Sequence, residues 1–229
     1  MLPGMPVYRL TEDIIFPDPA EAEPDGLLAV GGDLSAERLL LAYQIGVFPW
    51  FSRGHPILWW SPDPRFVLFP GKFKLSKSLA QRIRKQEFRF TFDTVFAEVI
   101  ENCARVKRQH EDGTWITAGM KKAYIKLHQL GFAHSAEVWE NDVLVGGLYG
   151  ISLGKAFFGE SMFHTKTDAS KIAFYCLHEQ LLAWGFHFID CQLHTDHLAS
   201  LGAEEVPRIV FLEKLEIALA NETIRGLWS

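Results

Sequence analysis

The chain has 229 residues, an apolar share of 48% and a net charge of −5, which fits one large domain or two small ones. No run approaches the roughly 20 apolar residues that span a bilayer, and residues 1–13 lack the basic and apolar regions of a secretory signal. Three scattered cysteines favour a reduced, cytoplasmic protein over a disulfide framework or a zinc ribbon. The acidic balance gives no overall attraction to nucleic acid, but a local basic patch could still bind it.

The first part of the chain is rich in turns and leads to a cluster of aromatic residues. Ser35 is a good cap for a predicted helix that runs to about Ile45. Prolines confine the segment that follows to short edge strands and turns. Its aromatic side chains either fill a core beneath a loop or form the wall of a binding groove. They are Trp50, Phe51, Trp59 and Trp60. A domain boundary is predicted near residues 62–64, so that residues 1–64 form a small domain and residues 65–229 a larger one.

A basic segment follows a predicted strand at residues 66–69. Two apolar residues at helical spacing, Leu79 and Ile83, place part of this segment on an amphipathic helix. A charge run of this kind is usually a solvated helix face, but its one-sided sign would also suit a phosphate backbone. The basic residues are Lys72, Lys74, Lys77, Arg82, Arg84, Lys85 and Arg89.

The middle of the chain predicts two helices and three antiparallel strands. Asp93 and Thr117 are the expected helix caps, and Gly131 ends the second helix after Leu130. Strands are predicted at residues 133–140, 143–151 and 155–163, joined by hairpin turns. Glycines crowd the middle strand and indicate a bulge or a close approach of a ligand to the backbone. They are Gly146, Gly147, Gly150 and Gly154.

The last part of the chain predicts a strand, a helix and a parallel strand. Asp168 is the expected cap of a helix that ends at Trp184, and the next strand follows at once. This order is a right-handed crossover between parallel strands. A further strand is predicted at residues 208–212. The chain therefore reads as an α+β or α/β protein whose larger part has a mixed sheet of about six strands.

The strand after the crossover carries two polar side chains in an otherwise apolar sequence. Residues 187–193 alternate as expected of a strand, which places Asp190 and Gln192 on one face, roughly 6–7 Å apart at their Cα atoms. Asp is depleted in strands because its carboxylate must be solvated or hydrogen-bonded. The pair indicates either a polar site on the sheet or a strand whose outer face is simply polar.

Other familiar motifs are not completed. Residues 150–155 lack the flanking Gly and Ser or Thr of a phosphate loop, and residues 146–150 have no strand-turn-helix context for a dinucleotide. His194 and His197 could form half of a zinc site, but no cysteine pair completes it. His164 and His178 have no nearby nucleophile arranged for a catalytic triad.

Several sequence blocks, in one order over nearly the whole chain, resemble those of leucyl/phenylalanyl-tRNA–protein transferases, the bacterial enzymes of the N-degron pathway. Blocks in register are far more specific than any single block. They are GLLAVGGDL at 26–34, FPWF at 48–51, WWSPDPR at 59–65, GTWIT at 113–117, GESMF at 159–163, IDCQ at 189–192 and ASLGA at 199–203.

The resemblance implies a small N-terminal domain and a larger domain with an acyl-CoA N-acyltransferase-like fold. It implies transfer of Leu or Phe, and Met less well, from aminoacyl-tRNA to the α-amine of proteins that begin with Lys or Arg. The donor is an activated ester, so no cofactor, ATP or metal is expected. CoA is not expected either, because residues 164–168 lack the glycines of a pyrophosphate loop.

The resemblance also assigns site residues. Asp190 and Gln192 match the catalytic pair of the family, and Asp190 would draw the proton from the amine, directly or through Gln192, which could instead orient the ester. Glu160 could hold an ammonium or a ribose hydroxyl group. The substrate site would include the aromatic residues Trp50, Trp115 and Phe157. Leu148, Met162 and Ile189 are expected to line an apolar acyl pocket, in which the flexible thioether adapts to Leu and Phe alike.

The basic segment would then hold acceptor-stem phosphates through Lys72, Lys74, Lys77, Arg82, Arg84 and Lys85. The expected protein is a cytoplasmic monomer without membrane contact. An acyl-CoA-dependent N-acetyltransferase and a non-catalytic tRNA-binding module are the alternatives. The first lacks its pyrophosphate loop, and the second leaves Asp190 and Gln192 without a task.

Overall fold

The computed structural model describes residues 7–106 and 114–229, so Gly113 of the GTWIT block lies outside the described residues. Two sheets organise this part of the chain. The strands are β1 Tyr8–Leu10, β2 Leu27–Gly31, β3 Phe48–Pro49, β4 Leu58–Trp60, β5 Arg65–Leu68, β6 Arg89–Phe92, β7 Ala133–Glu140, β8 Val143–Leu153, β9 Ala156–His164, β10 Phe188–Gln192 and β11 Glu204–Val206. The helices are α1 Ala36–Gln44, α2 Lys77–Arg84, α3 Phe96–Arg105, α4 Ala118–Gln129, α5 Ala169–Ala183, α6 Asp196–Ser200 and α7 Arg208–Leu219.

A small four-stranded sheet in the N-terminal part has the order β1-β2-β4-β3, and a seven-stranded sheet has the order β11-β5-β10-β9-β8-β7-β6. In the large sheet β7, β8 and β9 pair antiparallel, whereas β9 and β10 are parallel and are joined through α5. The predicted hairpins and crossover are therefore confirmed. So is the fold class, a mixed α/β protein with a small N-terminal part and a larger part built on a mixed sheet. The division at residues 64 and 65 stays a prediction.

Helices cover both faces of the large sheet. On one face, α5 packs against β7, β8 and β9 and contributes its apolar side to one core cluster. On the other face, α3 packs against β8 and β9 and belongs to a second core cluster, which also contains Tyr43 of α1 and Trp59 of β4. One continuous core therefore joins the small sheet to the large one and holds α1 close to β9 of the large sheet.

Several sequence predictions for single residues are confirmed. The side chain of Ser35 accepts a hydrogen bond from the backbone of Arg38, and that of Thr117 accepts one from Met120, so both act as helix caps. The glycine-rich strand β8 has the expected bulge at Val145, the extra residue between Leu144 and Gly146. Opposite Tyr149 and Gly150 a second bulge belongs to β9. Gly150 is required there, because a Cβ atom would lie 2.2 Å from the carbonyl oxygen of Phe158.

Two local predictions are wrong. Residues 208–212 are not a strand but the start of α7, which buries Phe211, Leu215 and Ala218 at helical spacing. The β-branched residues at the start of this segment favoured a strand, but packing against the core decides for the helix. The strand at this place is β11, just before Pro207, and it brings the large sheet to seven strands rather than about six.

Asp93 does not cap α3, whose N-cap is Val95. The Asp93 carboxylate instead accepts hydrogen bonds from the backbone of Ser135 and of Trp228, and it lies 2.7 Å from Nδ1 of His134. These buried partners hold the carboxylate away from the start of the helix.

In the described ranges 7–106 and 114–229, no helix is long and apolar enough to cross a membrane. The same residues contain no group of three or more His, Cys, Asp or Glu side chains that could hold a metal ion.

Candidate active site

An open cavity of about 410 Å³ lies where β9 and β10 meet α5, α6 and the loop after β3. All the residues expected at the substrate site line it. The aromatic ones are Trp50, Trp115 and Phe157, and the aliphatic ones are Leu148, Met162 and Ile189. Glu160 and Gln192 also line the cavity and form its polar end. The sequence blocks thus converge on one place in the fold.

Asp190 does not line the cavity. Its side chain is completely buried, and both of its oxygens are bound by Arg65, at 2.8 Å from Nε and 2.6 Å from Nη2. One of these oxygens also accepts a hydrogen bond of 2.9 Å from the backbone N–H of Gln192. The carboxylate is therefore held between a guanidinium group and the backbone of Gln192, and its charge also raises the pKa of Glu160.

The regular alternation expected between Asp190 and Gln192 is interrupted. The pairing of β10 with β5 shifts between these two residues, and Gln192 has a φ of 65°. A bulge of this kind re-aims the side chain that follows it. Asp190 consequently faces Arg65, whereas the Gln192 amide turns to the cavity and donates a hydrogen bond of 2.9 Å to Oε1 of Glu160.

Glu160 is the centre of a hydrogen-bond network. The bulge between β8 and β9 pairs Tyr149 with Ser161 and Gly150 with Gly159, so Glu160 is the extra residue between these two pairs. Its Oε1 also accepts a hydrogen bond of 2.7 Å from the hydroxyl of Tyr43, and its Oε2 accepts one of 2.9 Å from the hydroxyl of Tyr124. The two tyrosine oxygens lie 2.5 Å apart.

Burial raises the pKa of Glu160 to about 7, although the hydrogen bonds from Tyr43, Tyr124 and Gln192 oppose this shift. Burial and the nearby Glu160 carboxylate raise the pKa values of Tyr43 and Tyr124 well above their usual value, so both remain hydroxyl donors. The polar end of the cavity therefore holds one carboxylate that changes its charge close to neutral pH.

Two of these partners were not identified from the sequence. In the sequence, Tyr43 and Tyr124 fall at helical spacing among apolar residues, and the structure places their rings in the core. The helical pattern of apolar residues does not predict that both hydroxyl groups donate to the same carboxylate. Buried tyrosines need a partner for the hydroxyl group, which is the one signal that could have marked them.

Most of the remaining cavity wall is apolar and forms its apolar end, although Ser161, Thr195 and His197 also line the cavity. Besides the expected side chains, it includes Phe174 and Leu177 from the buried face of α5. The thiol of Cys191 also lies here, and burial raises its pKa, which keeps it uncharged. The combination of aliphatic, aromatic and thioether walls suits an apolar group.

The aromatic cluster is divided between the core and the cavity. Trp59 is completely buried in the core, where its indole N–H donates to the carbonyl of Gly31. Trp50 lines the cavity, and its backbone carbonyl is held by the indole N–H of Trp60 at 2.7 Å. Both readings of the cluster are thus present, the core filling for Trp59 and the groove wall for Trp50.

The basic segment lies next to the cavity wall formed by α5 and α6. The backbone of Lys74 donates to the carbonyl of Leu201, directly after α6, and the ring of Phe73 packs on that of Phe174 at 5.8 Å. The basic side chains on this surface are exposed except for that of Arg82, and they are Lys72, Lys74, Lys77, Arg84 and Lys85.

Arg82 differs from its neighbours because the protein already holds it. Its guanidinium donates to the carbonyl of Thr167 at 2.7 Å and to the Asp168 carboxylate at 3.3 Å. Lys85 lies 3.5 Å from Glu87. Within the described chain no acidic group forms an ion pair with Lys72, Lys74, Lys77 or Arg84, so these cations are available to an outside anion.

The sequence profile of the family described as leucyl/phenylalanyl-tRNA protein transferase matches residues 67–216, and the profile of its N-terminal domain matches residues 32–63. Relatives with the name leucyl/phenylalanyl-tRNA–protein transferase cover most of the chain. The one from Desulfatibacillum aliphaticivorans is 58% identical over 98% of this chain and 97% of its own length. The one from Syntrophobacter fumaroxidans is 59% identical over 92% of this chain and 90% of its own length.

Solved structures show a more distant likeness. The C-terminal domain of a putative lysylphosphatidylglycerol synthetase from Agrobacterium fabrum has a TM-score of 0.42 and 12% identity, over 82% of this chain and 63% of that one. A GCN5-related N-acetyltransferase-like protein from Streptococcus suis has a TM-score of 0.34 and 13% identity, over 62% of this chain and 57% of that one.

Proposed function

The chain belongs to the leucyl/phenylalanyl-tRNA–protein transferase family and is an aminoacyltransferase that acts on aminoacyl-tRNA and protein, and we propose that it moves Leu or Phe, and Met less well, to the N-terminal α-amine of proteins that begin with Lys or Arg. The observation that carries this specificity is the cavity, which has an apolar end and a polar end around Glu160 and Gln192.

The donor amino acid occupies the apolar end in this proposal. Leu148, Met162 and Ile189 form its walls together with Phe157. A side chain that branches at Cβ is wider close to the backbone, so Ile and Val would clash with these walls, whereas Leu and Phe would fit. Trp50 and Trp115 stack on the terminal adenosine or flank it, since aromatic rings bind a base through its face.

The acceptor amine approaches from the polar end. Glu160 is the one carboxylate among the described residues that line the cavity, and it attracts a cationic α-ammonium group. The same carboxylate favours cationic acceptors over acidic ones in general, which supports a preference for N-terminal Lys or Arg.

The chemistry needs little beyond positioning, because the donor is already an ester. Holding amine and ester in the correct orientation can supply roughly 7–11 kcal/mol. Gln192 is placed to orient the reacting groups through its amide. Asp190 has a supporting role, because its carboxylate accepts a hydrogen bond from the backbone N–H of Gln192 and so positions that residue. Arg65 neutralises the charge of the carboxylate.

The exposed cations beside the cavity bind the acceptor stem in this proposal. Lys72, Lys74, Lys77 and Arg84 carry most of this contact, since Arg82 and Lys85 have acidic partners in the protein. The enzyme works without a cofactor as a monomer in the cytoplasm, where it marks its protein products for degradation.

A transfer assay tests the proposal. Radiolabelled leucyl-tRNA is incubated with the enzyme and with peptides that differ only in the first residue, Arg, Lys, Ala or Glu. We expect label on the Arg and Lys peptides and none after ribonuclease treatment. Equal labelling of all four peptides would contradict the proposed acceptor, and acetyl transfer from acetyl-CoA would favour the acetyltransferase alternative.

A further inference from the structure

We propose that Glu160, rather than Asp190 or Gln192, accepts the proton from the attacking α-ammonium group, and that Tyr43 and Tyr124 are positioning residues that hold its carboxylate for this task. The inference rests on the proposed aminoacyl transfer and names the proton acceptor within it.

The other two candidates are unsuited to take a proton. Asp190 is completely buried, and its two oxygens already accept hydrogen bonds from Arg65 and from the backbone of Gln192. Gln192 offers an amide, whose oxygen accepts hydrogen bonds but does not hold a proton near neutral pH. Its Nε2 is moreover engaged as a donor to Glu160. Glu160 is the one carboxylate among the described residues that line the cavity, and His197, which also lines it, is a weaker base because burial lowers its pKa below the usual value.

The contacts of Glu160 leave room for a substrate. An ionised carboxylate has about four acceptor positions. Tyr43, Tyr124 and Gln192 supply three donors, at 2.7, 2.9 and 2.9 Å. About one acceptor position is left, and because Glu160 belongs to the cavity wall, an ammonium group in the cavity can use it.

The two tyrosines form a ring with Glu160 that is one hydrogen short when the carboxylate is ionised. The ring has three oxygen–oxygen contacts: Tyr43 to Tyr124 at 2.5 Å, Tyr43 to Glu160 at 2.7 Å and Tyr124 to Glu160 at 2.9 Å. The two hydroxyl groups supply two hydrogens for these three contacts. A proton on Glu160 supplies the third, so the network has a place prepared for the proton that the reaction releases.

Electrostatics fit the same role. Burial brings the pKa of Glu160 to about 7, close to the value of roughly 8 for a free α-amine. Proton transfer between them is then unfavourable by only about tenfold, and a base whose pKa lies near the working pH is the most effective one. The ionisable groups that act on Glu160 are Tyr43 of α1, Tyr124 of α4 and Asp190 of β10 with its partner Arg65 of β5. Tyr149 of β8 acts on the two other tyrosines.

The reaction balances with Glu160 as the acceptor. The α-ammonium group gives one proton to the Glu160 carboxylate, and the neutral amine then attacks the ester carbonyl. The carbon–nitrogen bond forms, the bond from the carbonyl carbon to the ribose oxygen breaks, and the second proton of the nitrogen passes to the departing ribose oxygen. Glu160 finally releases its proton to solvent. The products are an amide, a free ribose hydroxyl group and one proton.

The N-terminal part of the chain thereby contributes to the chemistry of the larger part. Tyr43 lies on α1, which follows β2 and precedes β3 of the small sheet in the sequence. Glu160 lies on β9 of the large sheet. The hydroxyl of Tyr43 is the link between them. Its task is to hold the carboxylate, not to touch the substrate.

The test compares Glu160→Gln with the wild type in single-turnover transfer from leucyl-tRNA. One acceptor is a peptide with an ordinary N-terminal Arg, and the other has an aminooxy group in place of the α-amine, which is already neutral at pH 7. We expect Glu160→Gln to lose about 100-fold in rate with the ordinary acceptor and to transfer to the aminooxy acceptor at nearly the wild-type rate. Glu216→Gln, the same change at an exposed position of α7, is the matched control and should equal the wild type with both.

The tyrosines provide a second readout. If Glu160 is the proton acceptor, we expect the wild-type rate to fall at low pH with an apparent pKa close to that of Glu160, about 7. Tyr43→Phe and Tyr124→Phe each remove a donor that favours the ionised carboxylate, so each should shift this pKa upward. A merely structural role would lower the amount of folded enzyme and leave the pKa where it is. These two variants also decide the question if Glu160→Gln does not fold.

The outcomes separate this inference from the function on which it rests. Absence of leucine transfer by the wild type would overturn the proposed function. If the wild type transfers leucine but Glu160→Gln loses activity equally with both acceptors, or loses none, Glu160 is not the proton acceptor. An unchanged pH profile in both tyrosine variants would overturn the role given to the ring.

Discussion

Arg65 and Asp190 form a two-point ion pair inside the protein, with nitrogen–oxygen distances of 2.8 and 2.6 Å and no exposure of either side chain to solvent beyond about 1%. The guanidinium group also donates to the carbonyl of Gly46 and lies over the rings of Phe48 and Phe211. This pair therefore connects β5, β10, α7 and the segment after α1 next to Gln192.

Replacing Asp190 by Ala should cost both stability and turnover. A buried guanidinium group without its partner destabilises a protein by roughly 3–5 kcal/mol, and Gln192 loses the acceptor of its backbone N–H. Denaturant unfolding measures the first effect and the transfer assay the second, while binding of aminoacyl-tRNA should remain.

The double variant Arg65→Met with Asp190→Leu should recover stability but not turnover. Asp142→Asn, which removes the charge of the exposed pair with Arg89 and keeps a residue that tolerates the positive φ of this position, is the control and should change neither quantity. Undiminished turnover of Asp190→Ala would refute its role.

The raised pKa of Glu160 predicts how stability depends on pH. The folded value of about 7 lies above the unfolded value of 4.5, so the folded state binds the proton more tightly. Both states are protonated below pH 4.5, and the folded state loses this advantage as the pH rises through 7. Glu160→Gln should therefore equal the wild type near pH 4 and become more stable by up to about 3 kcal/mol near pH 8.5. Urea unfolding at both pH values measures the difference, and a gap that does not grow with pH would contradict the prediction.

The sequence predicts the frame of the site well but not its polar contacts. Hydrophobic periodicity and turn residues are local signals, and they give the hairpins of β7, β8 and β9 and the crossover through α5. The glycines of β8 even predict the bulge at Val145, next to Gly146. They do not predict the bulge in the facing strand, where Glu160 is the extra residue of β9, because its position depends on the register between the two strands.

The Asp190 and Gln192 pair shows the same limit. Regular alternation predicts one shared face, but the bulge after Asp190 separates the two side chains. Arg65 decides the outcome, and it lies on β5, which neighbours β10 in the sheet but is far from it in the sequence, so nothing in the local pattern links Arg65 to Asp190. Contacts between residues far apart in the chain depend on the assembled sheet. The local sequence pattern therefore does not predict Tyr43 and Tyr124 as partners of Glu160 either.

The apolar end of the cavity predicts a change in donor preference. Met162 lines the cavity and is opposite Leu148 in the pairing of β8 with β9. Met162→Ala removes apolar contact worth about 0.8 kcal/mol, or about fourfold in kcat/KM, for each lost methylene-sized group. We expect transfer of Leu to fall more than transfer of Phe, because the larger ring fills part of the new space. The ratio of kcat/KM for the two donors, measured with one enzyme preparation, checks this independently of the folded fraction. An unchanged ratio would place the acyl group elsewhere.

The basic segment predicts a difference between two arginines that lie on the same helix. Arg84 is exposed and has no ion-pair partner among the described residues, whereas Arg82 is held by Asp168 and by the carbonyl of Thr167. Each cation that contacts a phosphate contributes about 0.9 to the slope of log affinity against log salt concentration. Arg84→Met should therefore lower the slope for aminoacyl-tRNA by about one, and Lys74→Met should do the same.

Arg82→Met should leave the slope nearly unchanged, because this side chain is already neutralised within the protein. Lys126→Met is the matched control, since it removes an exposed cation from α4, outside the basic segment. Filter binding of leucyl-tRNA between about 50 and 200 mM salt, the range over which phosphate contacts lose most of their affinity, measures all four variants. If Arg84→Met and Lys126→Met gave the same slope as the wild type, the acceptor stem would have to bind to another surface. If Arg82→Met gave the largest change, its bond to Asp168 would have to open when tRNA binds.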